Sequence, residues 1–380
     1  MASKKLRRAG VSQELCERLR RHHVESCKDL LSLTPLEVMR LAGLGHRRAV
    51  ALLRSVSGHC APPVTTLLEL WKPTAESFFS TSLPALDDLL RGGLPLGTIT
   101  EVAGPSGCGK TQMCLMLSIL ATLPRSLGGL DAGVVYIDTE SAFSAERLVE
   151  MAQARFPQHF SSRERVLQMA GRVHVFRELT CQDVLNRLDR LEEDIISTKA
   201  GVVILDSVAS VVRKEFDTTL PGNLTTRSNL LSLEASTLKY LAHQFNIPVV
   251  LTNQITTHPG GGGSGVPGEV DSGFVTAALG NTWSHTVNTR LIVQYADAHQ
   301  RQIVIAKSPV AAYAVLNYTI QKEGICLGGE YDRLPRAKGT TKATTRSQSG
   351  EARDPGPQPI RVRTGFNYNL SKPVEADGDS

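Results

Sequence analysis

The 380 residues of this chain are enough for one α/β core and a small additional domain, and 41% hydrophobic with 21% charged residues is an ordinary globular composition. Seven cysteines, an odd number without a Cys-x-x-Cys pair, argue against a disulfide frame or a zinc site and for a reducing compartment. The net charge of +5 is unevenly spread: residues 1–60 carry 12 Lys/Arg against five Asp/Glu, while the middle of the chain is net acidic, so attraction to a polyanion falls to the N-terminal region.

The opening MASKKLRRAG is charged with no apolar stretch behind it, so no secretory signal is expected. Residues 1–60 read as short amphipathic helices. Thr34 is placed to cap a helix with Pro35 at its first position and Glu37 at its third. Gly43-Leu44-Gly45 then breaks the pattern before a second helix from His46. Helix, Gly-x-Gly turn, helix is the helix-hairpin-helix pattern, in which backbone N–H groups at Gly43 and Gly45 can hold a DNA phosphate, with Arg47 beside them. Residues 61–80 hold Pro62, Pro63 and Pro73 and read as a linker.

From 81 to 327, continuous apolar runs alternate with helical stretches, as expected of buried parallel strands in an α/β domain. The strand Thr98–Val102 leads into Gly104-Pro105-Ser106-Gly107-Cys108-Gly109-Lys110-Thr111-Gln112, a Gly-x-x-x-x-Gly-Lys-Thr phosphate loop. The glycines let the backbone fold into a nest of N–H groups aimed at phosphate oxygens, and a helix starting near Lys110 adds its positive end. Lys110 can reach the β- and γ-phosphates of a bound nucleotide, and the Thr111 hydroxyl is placed to coordinate Mg²⁺. The apolar segment that follows, Met113–Leu123, is the longest in the chain and too short to cross a bilayer.

Two apolar runs end in aspartate, at Asp138 and Asp206. Either could hold the Mg²⁺ shell, and spacing alone does not choose. Glu140 lies two residues beyond Asp138, on the same side by strand alternation, where a carboxylate could orient an attacking water. Residues 213–227 follow the Asp206 strand and read as a loop carrying Arg213, Lys214 and Arg227 with Phe216 between, residue types suited to single-stranded nucleic acid. Gln254 ends the run VVLTNQ at a strand C-terminus, where ligand sites form, and could sense the γ-phosphate. Beyond it, Ile255–Phe274 holds four successive glycines and two prolines, which predicts a loop rather than a packed element. The runs TRLIVQY, QIVIAKS and AVLNYTI have no helix between them, so the sheet is expected to end antiparallel. Residues 328–380 are polar and rich in Pro and Gly, as in disordered tails.

The chain resembles the eukaryotic RecA-like recombinases across residues 1–327, and within them the recombinase paralogues. The resemblance is carried by GPSGCGKTQ, VVYIDTESAFSAERL, VVILDSVASVVRKEF, IPVVLTNQITTH, AALGNTWSHTVNTRL and IAKSP. It implies a RecA-like P-loop ATPase core, a mostly parallel sheet with antiparallel C-terminal strands, joined to a small all-α helix-hairpin-helix-like domain. It also implies that Asp206 is the metal-holding carboxylate, Glu140 the catalytic glutamate and Gln254 the γ-phosphate switch. Arg147 matches an arginine beside the nucleotide base, and 213–227 and 255–278 match the family's DNA-binding loops.

Three departures stand out. Ser141 replaces the family's usual glycine after the glutamate, with the expectation that it shifts Glu140 and slows hydrolysis. Lys307 replaces an aspartate that caps a neighbour's ATP, and is expected to place a cation near a phosphate across a subunit interface. The linker lacks the Phe-x-x-Ala motif of filament-forming members, Phe78-Phe79-Ser80-Thr81 being its nearest approach.

The function implied by the resemblance is that of a nuclear ATP- and DNA-binding factor of homologous recombination, acting at double-strand breaks and stalled forks. It would load or stabilise the main strand-exchange recombinase and hydrolyse ATP weakly under DNA stimulation. Its expected partners are single-stranded, double-stranded and branched DNA, and the C-type, D-type and small X-ray-repair paralogues in a hetero-oligomer; no membrane is expected. Two alternatives remain at this stage: a scaffold in which ATP is a structural ligand, and a RecA-fold helicase-like motor.

Overall fold

The computed structural model describes residues 6–61, 64, 66–70, 77–216, 222–258, 274–297 and 300–328. They divide into two compact units, residues 1–76 and 77–380.

The first unit is helical: a 3-10 turn at Leu6–Ala9, then α1 (Gln13–Arg20), α2 (Cys27–Leu31), α3 (Pro35–Ala42) and α4 (His46–Cys60), with a one-turn α5 (Leu67–Leu70) inside the segment expected to be a linker. The predicted start of α3 is realised as a capping box, in which Thr34 Oγ1 accepts from the Glu37 N–H at 3.3 Å and Glu37 Oε2 from the Thr34 N–H at 2.7 Å. Gly43, at φ +64°, ends α3 in the left-handed region that a side chain would disfavour. Leu19, Leu30, Val38, Ala49 and Val56 are buried together as this unit's core.

The second unit runs β1 (Phe78–Phe79), α6 (Pro84–Leu89), β2 (Leu94–Pro95), β3 (Ile99–Ala103), α7 (Lys110–Thr122), β4 (Gly133–Asp138), α8 (Ala145–Arg155), α9 (Arg163–Ala170), β5 (Val173–Arg177), α10 (Cys181–Thr198), β6 (Ala200–Asp206), α11 (Val208–Glu215), α12 (Asn223–Phe245) and β7 (Val249–Asn253). It continues with β8 (Ile255–His258), β9 (Phe274–Ala277), α13 (Gly280–Thr286), β10 (Thr289–Tyr295), β11 (Arg301–Lys307), β12 (Ala314–Gln321) and β13 (Gly324–Leu327). Nine strands form one sheet in the order β13-β12-β11-β10-β3-β7-β6-β4-β5. From β10 to β5 all neighbours are parallel, and β10 to β13 pair antiparallel, the mixed arrangement expected from the sequence.

Strand residues alternate between two cores. Val134, Tyr136 and Ile204 pack with α7 on one face, and Val135, Ile137 and Leu205 pack with α10, α11 and α12 on the other. With both faces covered, the parallel strands read as unbroken apolar runs. Their C-terminal ends, at Ala103, Asp138, Asp206 and Asn253, lie side by side, which is where ligand sites form in open α/β sheets.

Three expectations are corrected. Residues 77–80 do not extend the linker: β1 pairs with β2 and Phe79 is fully buried in the second unit. Arg213 and Lys214 lie in the last turn of α11 and Arg227 near the start of α12, so only 217–221 between them fall outside the described residues. The segment after Gln254 begins and ends as strands, β8 paired with β9, because its Thr, Val and Phe residues favour extended backbone; its glycine run lies outside the described residues, as does the tail from 329. Among the described residues no helix is long and apolar enough to cross a membrane.

Candidate active site

The phosphate loop links β3 to α7. Gly107 and Gly109 sit at φ +79° and +84°, and Gly109 caps α7 with no side-chain bond to its N–H groups. Lys110 Nζ lies 3.0 Å from the carbonyl oxygens of both Gly104 and Pro105, folded back over the loop. Burial holds the Lys110 ammonium below its ordinary range, while Asp206 and Glu140 pull it upward.

The two candidate aspartates separate by geometry. Asp206 Oδ2 accepts from Thr111 Oγ1 and from Tyr136 Oη, each at 2.7 Å, and Oδ1 accepts from Thr252 Oγ1. Burial raises the Asp206 carboxyl, against the lowering effect of those three hydroxyls. Asp138 is turned to its own chain, where its oxygens accept the N–H groups of Glu140, Ala142 and Phe143 at 3.1 Å. A carboxylate and a hydroxyl next to an N–H-lined loop form the hard oxygen donor set that suits Mg²⁺ with a phosphate, so Thr111 and Asp206 fit that ion.

Glu140 is not on a strand, because β4 ends at Asp138. The turn bonded to Asp138 places it instead, and Ser141 within that turn adopts φ +54°. The serine therefore holds a backbone conformation that glycine adopts freely. Glu140 Oε1 accepts from Ser207 Oγ at 2.8 Å and from Gln254 Nε2 at 3.2 Å. Gln254 Oε1 in turn accepts from Arg213 Nη1 at 2.7 Å. Glu140, Ser210, Arg213, Lys214 and Gln254 line one cavity of about 420 Å³. Arg227 lies close enough for the Arg213 charge to depress it further, after burial. The structure thus gathers Glu140, Gln254, Arg213 and Lys214 at one place.

Arg147 reaches back to the loop helix: its Nε donates to Gln112 Oε1 at 2.9 Å and its Nη atoms to the carbonyls of Gln321 and Lys322. Lys307 is bonded within its own chain. Its Nζ donates to the carbonyls of Ser284 at 2.9 Å and Val287 at 2.7 Å, at the C-terminal end of α13 in its own chain, where a cation complements the helix dipole. In the helical unit, Gly45 precedes the uncapped start of α4, and His46, Arg47, Val50, Ala51 and Arg54 line a groove of about 500 Å³.

Sequence reasoning missed Tyr136, Thr252 and Ser207. Tyr136 and Thr252 are the hydroxyl-bearing residues inside otherwise apolar strand runs, two residues before Asp138 and Gln254, and that position was the available signal.

Residues 77–327 match the Rad51 family model, and residues 6–60 match the XRCC3/RpoA-like helix-hairpin-helix domain. The chain is 54% identical over 344 residues to the human "DNA repair protein RAD51 homolog 2", covering 86% of this chain and 90% of the relative. The Arabidopsis thaliana protein of the same name is 31% identical, covering 86% and 91%. The mouse "DNA repair protein XRCC3" is 32% identical, covering 81% and 93%.

Proposed function

The chain belongs to the Rad51 family of RecA-like ATPases, and we propose that it is an ATP- and DNA-binding recombinase paralogue that helps load or stabilise the main strand-exchange recombinase in the nucleus. One observation carries the reading: an unbroken side-chain path runs from Glu140 through Gln254 to Arg213. It joins a carboxylate beside the phosphate loop to a cation on the element that follows the metal-holding strand.

In this reading the N–H groups of 107–109 and the Lys110 ammonium bind the β- and γ-phosphates, and Thr111 with Asp206 holds Mg²⁺. The ion, when bound, supplies positive charge to the phosphate oxygens. Glu140 orients and deprotonates the attacking water, and Gln254 carries the phosphate state to β8 and to Arg213. Arg213, Lys214 and Arg227 meet single-stranded DNA, and the Gly43–Arg47 turn meets duplex or branched DNA. Hydrolysis is weak and DNA-stimulated. The chain works in a hetero-oligomer with the C-type, D-type and small X-ray-repair paralogues. The repair names printed for its relatives support the repair role.

The test is recombinase assembly on single-stranded DNA, followed by nuclease protection, with wild type or Lys110→Ala. Acceleration by wild type that is lost in the variant supports an ATP-dependent mediator. Equal acceleration by both overturns it, and no acceleration by either leaves the scaffold reading.

A further inference from the structure

Three of the four antiparallel strands, β10, β11 and β12, also reach the phosphate loop, from the side away from the nest. Every carbonyl oxygen from Gly104 to Cys108 accepts a side-chain hydrogen bond. Lys110 Nζ covers Gly104 and Pro105 at 3.0 Å each. Tyr295 Oη, at the end of β10, donates to the Ser106 carbonyl at 3.3 Å. Arg301 Nε, at the start of β11, donates to the Gly107 carbonyl at 3.3 Å. Tyr318 Oη, on β12, donates to the Cys108 carbonyl.

A peptide unit is planar and trans, so its C=O and the following N–H point in opposite directions. Holding the carbonyls of Ser106, Gly107 and Cys108 outward therefore turns the N–H groups of Gly107, Cys108 and Gly109 inward. We propose that Tyr295, Arg301 and Tyr318 are positioning residues that preorganise these three N–H groups for the phosphates of a nucleoside di- or triphosphate. The inference rests on the loop being a nucleotide site, as read above.

Two further observations support it. The Arg301 guanidinium lies 5.2 Å over the Tyr295 ring, so the two donors brace each other, and Tyr318 is fully buried, where burial pushes its phenol far up and keeps it a donor. The strands also press on the loop. A Cβ on Gly107 would stand 2.4 Å from Tyr295 Oη, and one on Gly109 would stand 2.7 Å from Ile320 Cδ1. These glycines thus answer to the strands behind the loop as well as to the phosphates in front of it. Lys110 has a phosphate to meet and must leave its carbonyls; the other three side chains keep theirs.

The experiment measures binding of a fluorescent ADP analogue to the purified full-length chain, with ATP and AMP as competitors. The double variant Tyr295→Phe/Tyr318→Phe keeps both rings and removes both hydroxyls. It is expected to weaken ADP and ATP by the same factor, about tenfold, and to leave AMP, which lacks the phosphate the loop surrounds, unchanged. ADP affinity within twofold of wild type, or an equal loss for AMP, overturns the proposal. If the double variant does not fold, Tyr295→Phe alone carries the test, with about a threefold loss expected and the same overturning results. Lys110→Ala separates the two readings. If wild type binds no ADP, or Lys110→Ala binds as tightly as wild type, the nucleotide site itself is wrong; if Lys110→Ala loses ADP and the tyrosine variants do not, only the positioning role fails.

Discussion

Gln254 Nε2 donates to Glu140 Oε1 at 3.2 Å, although the two residues follow different strands, β7 and β4, and lie 114 positions apart. The same amide accepts from Arg213 through its oxygen, so one glutamine reads a carboxylate on one side and a guanidinium on the other. The orientation of this amide follows from its partners: its N–H₂ can serve only the carboxylate and its oxygen only the cation.

Removing Arg213 should therefore disturb turnover without disturbing nucleotide binding. Arg213→Ala is expected to lower DNA-stimulated hydrolysis about tenfold, the scale of one charge-assisted hydrogen bond, while ADP affinity changes less than about twofold. Steady-state hydrolysis with single-stranded DNA, beside an ADP titration, checks both halves. Unchanged DNA stimulation would remove Arg213 from the path.

Ser141 already occupies the left-handed region, at φ +54°, with Glu140 in its hydrogen-bonded position. Ser141→Gly should consequently change turnover by less than about twofold while relieving up to about 1 kcal/mol of backbone strain. A large rise in hydrolysis in the glycine variant would mean that the serine does displace Glu140.

Glu234, on α12, is 1% exposed and neither of its carboxyl oxygens has a hydrogen-bond partner among the described residues. Burial pushes its pKa from 4.5 up to about 8. Between those values the folded chain holds a proton that the unfolded chain has released, so stability falls as pH rises through that window, by at most about 1.4 kcal/mol per pH unit. Urea unfolding at pH 5 and pH 8 should show this slope in wild type and its loss in Glu234→Gln. Parallel pH profiles for the two proteins would contradict it.

Glu101 is fully buried on β3 and accepts from Asn253 Nδ2 and Trp283 Nε1 at 2.7 Å each, and from Arg290 Nε. Asn253 in turn receives the Gln254 N–H at 2.8 Å, so this network underlies Gln254. Arg290→Met leaves a buried carboxylate without its cation and is expected to cost about 3–5 kcal/mol in urea unfolding. Adding Glu101→Gln should recover part of that loss, because the two residues share one interaction. Additive losses would show that they act separately.

The mixed sheet, the capping of α3 by Thr34 and the phosphate loop were legible because each depends on local pattern: apolar runs, a capping box, glycines at fixed spacing. The choice between Asp138 and Asp206 was not legible from spacing, since both end apolar runs; Thr111 lies 95 positions from Asp206, and only the adjacency of β3, β7 and β6 brings them together. Strand alternation misplaced the reason for Glu140's position, because the strand stops at Asp138 and side-chain bonds take over. Lys307 was expected to place a cation near a phosphate across a subunit interface; within its own chain it meets the carbonyls at the end of α13, a contact that no local pattern signals. Tyr295, Arg301 and Tyr318 left no motif at all, since their role depends on which loop carbonyls the antiparallel strands happen to meet.

In the proposed mechanism Glu140, positioned by Gln254, carries DNA-coupled hydrolysis at this site. ATP hydrolysis by the purified chain with a C-type paralogue, with and without single-stranded DNA, for wild type and Glu140→Gln, tests it most directly. DNA-stimulated turnover is expected in wild type, with a fall of about 10²-fold or more in Glu140→Gln and ATP still bound. Tight ATP binding with no turnover that depends on Glu140 would contradict it and make the nucleotide a structural ligand of a scaffold.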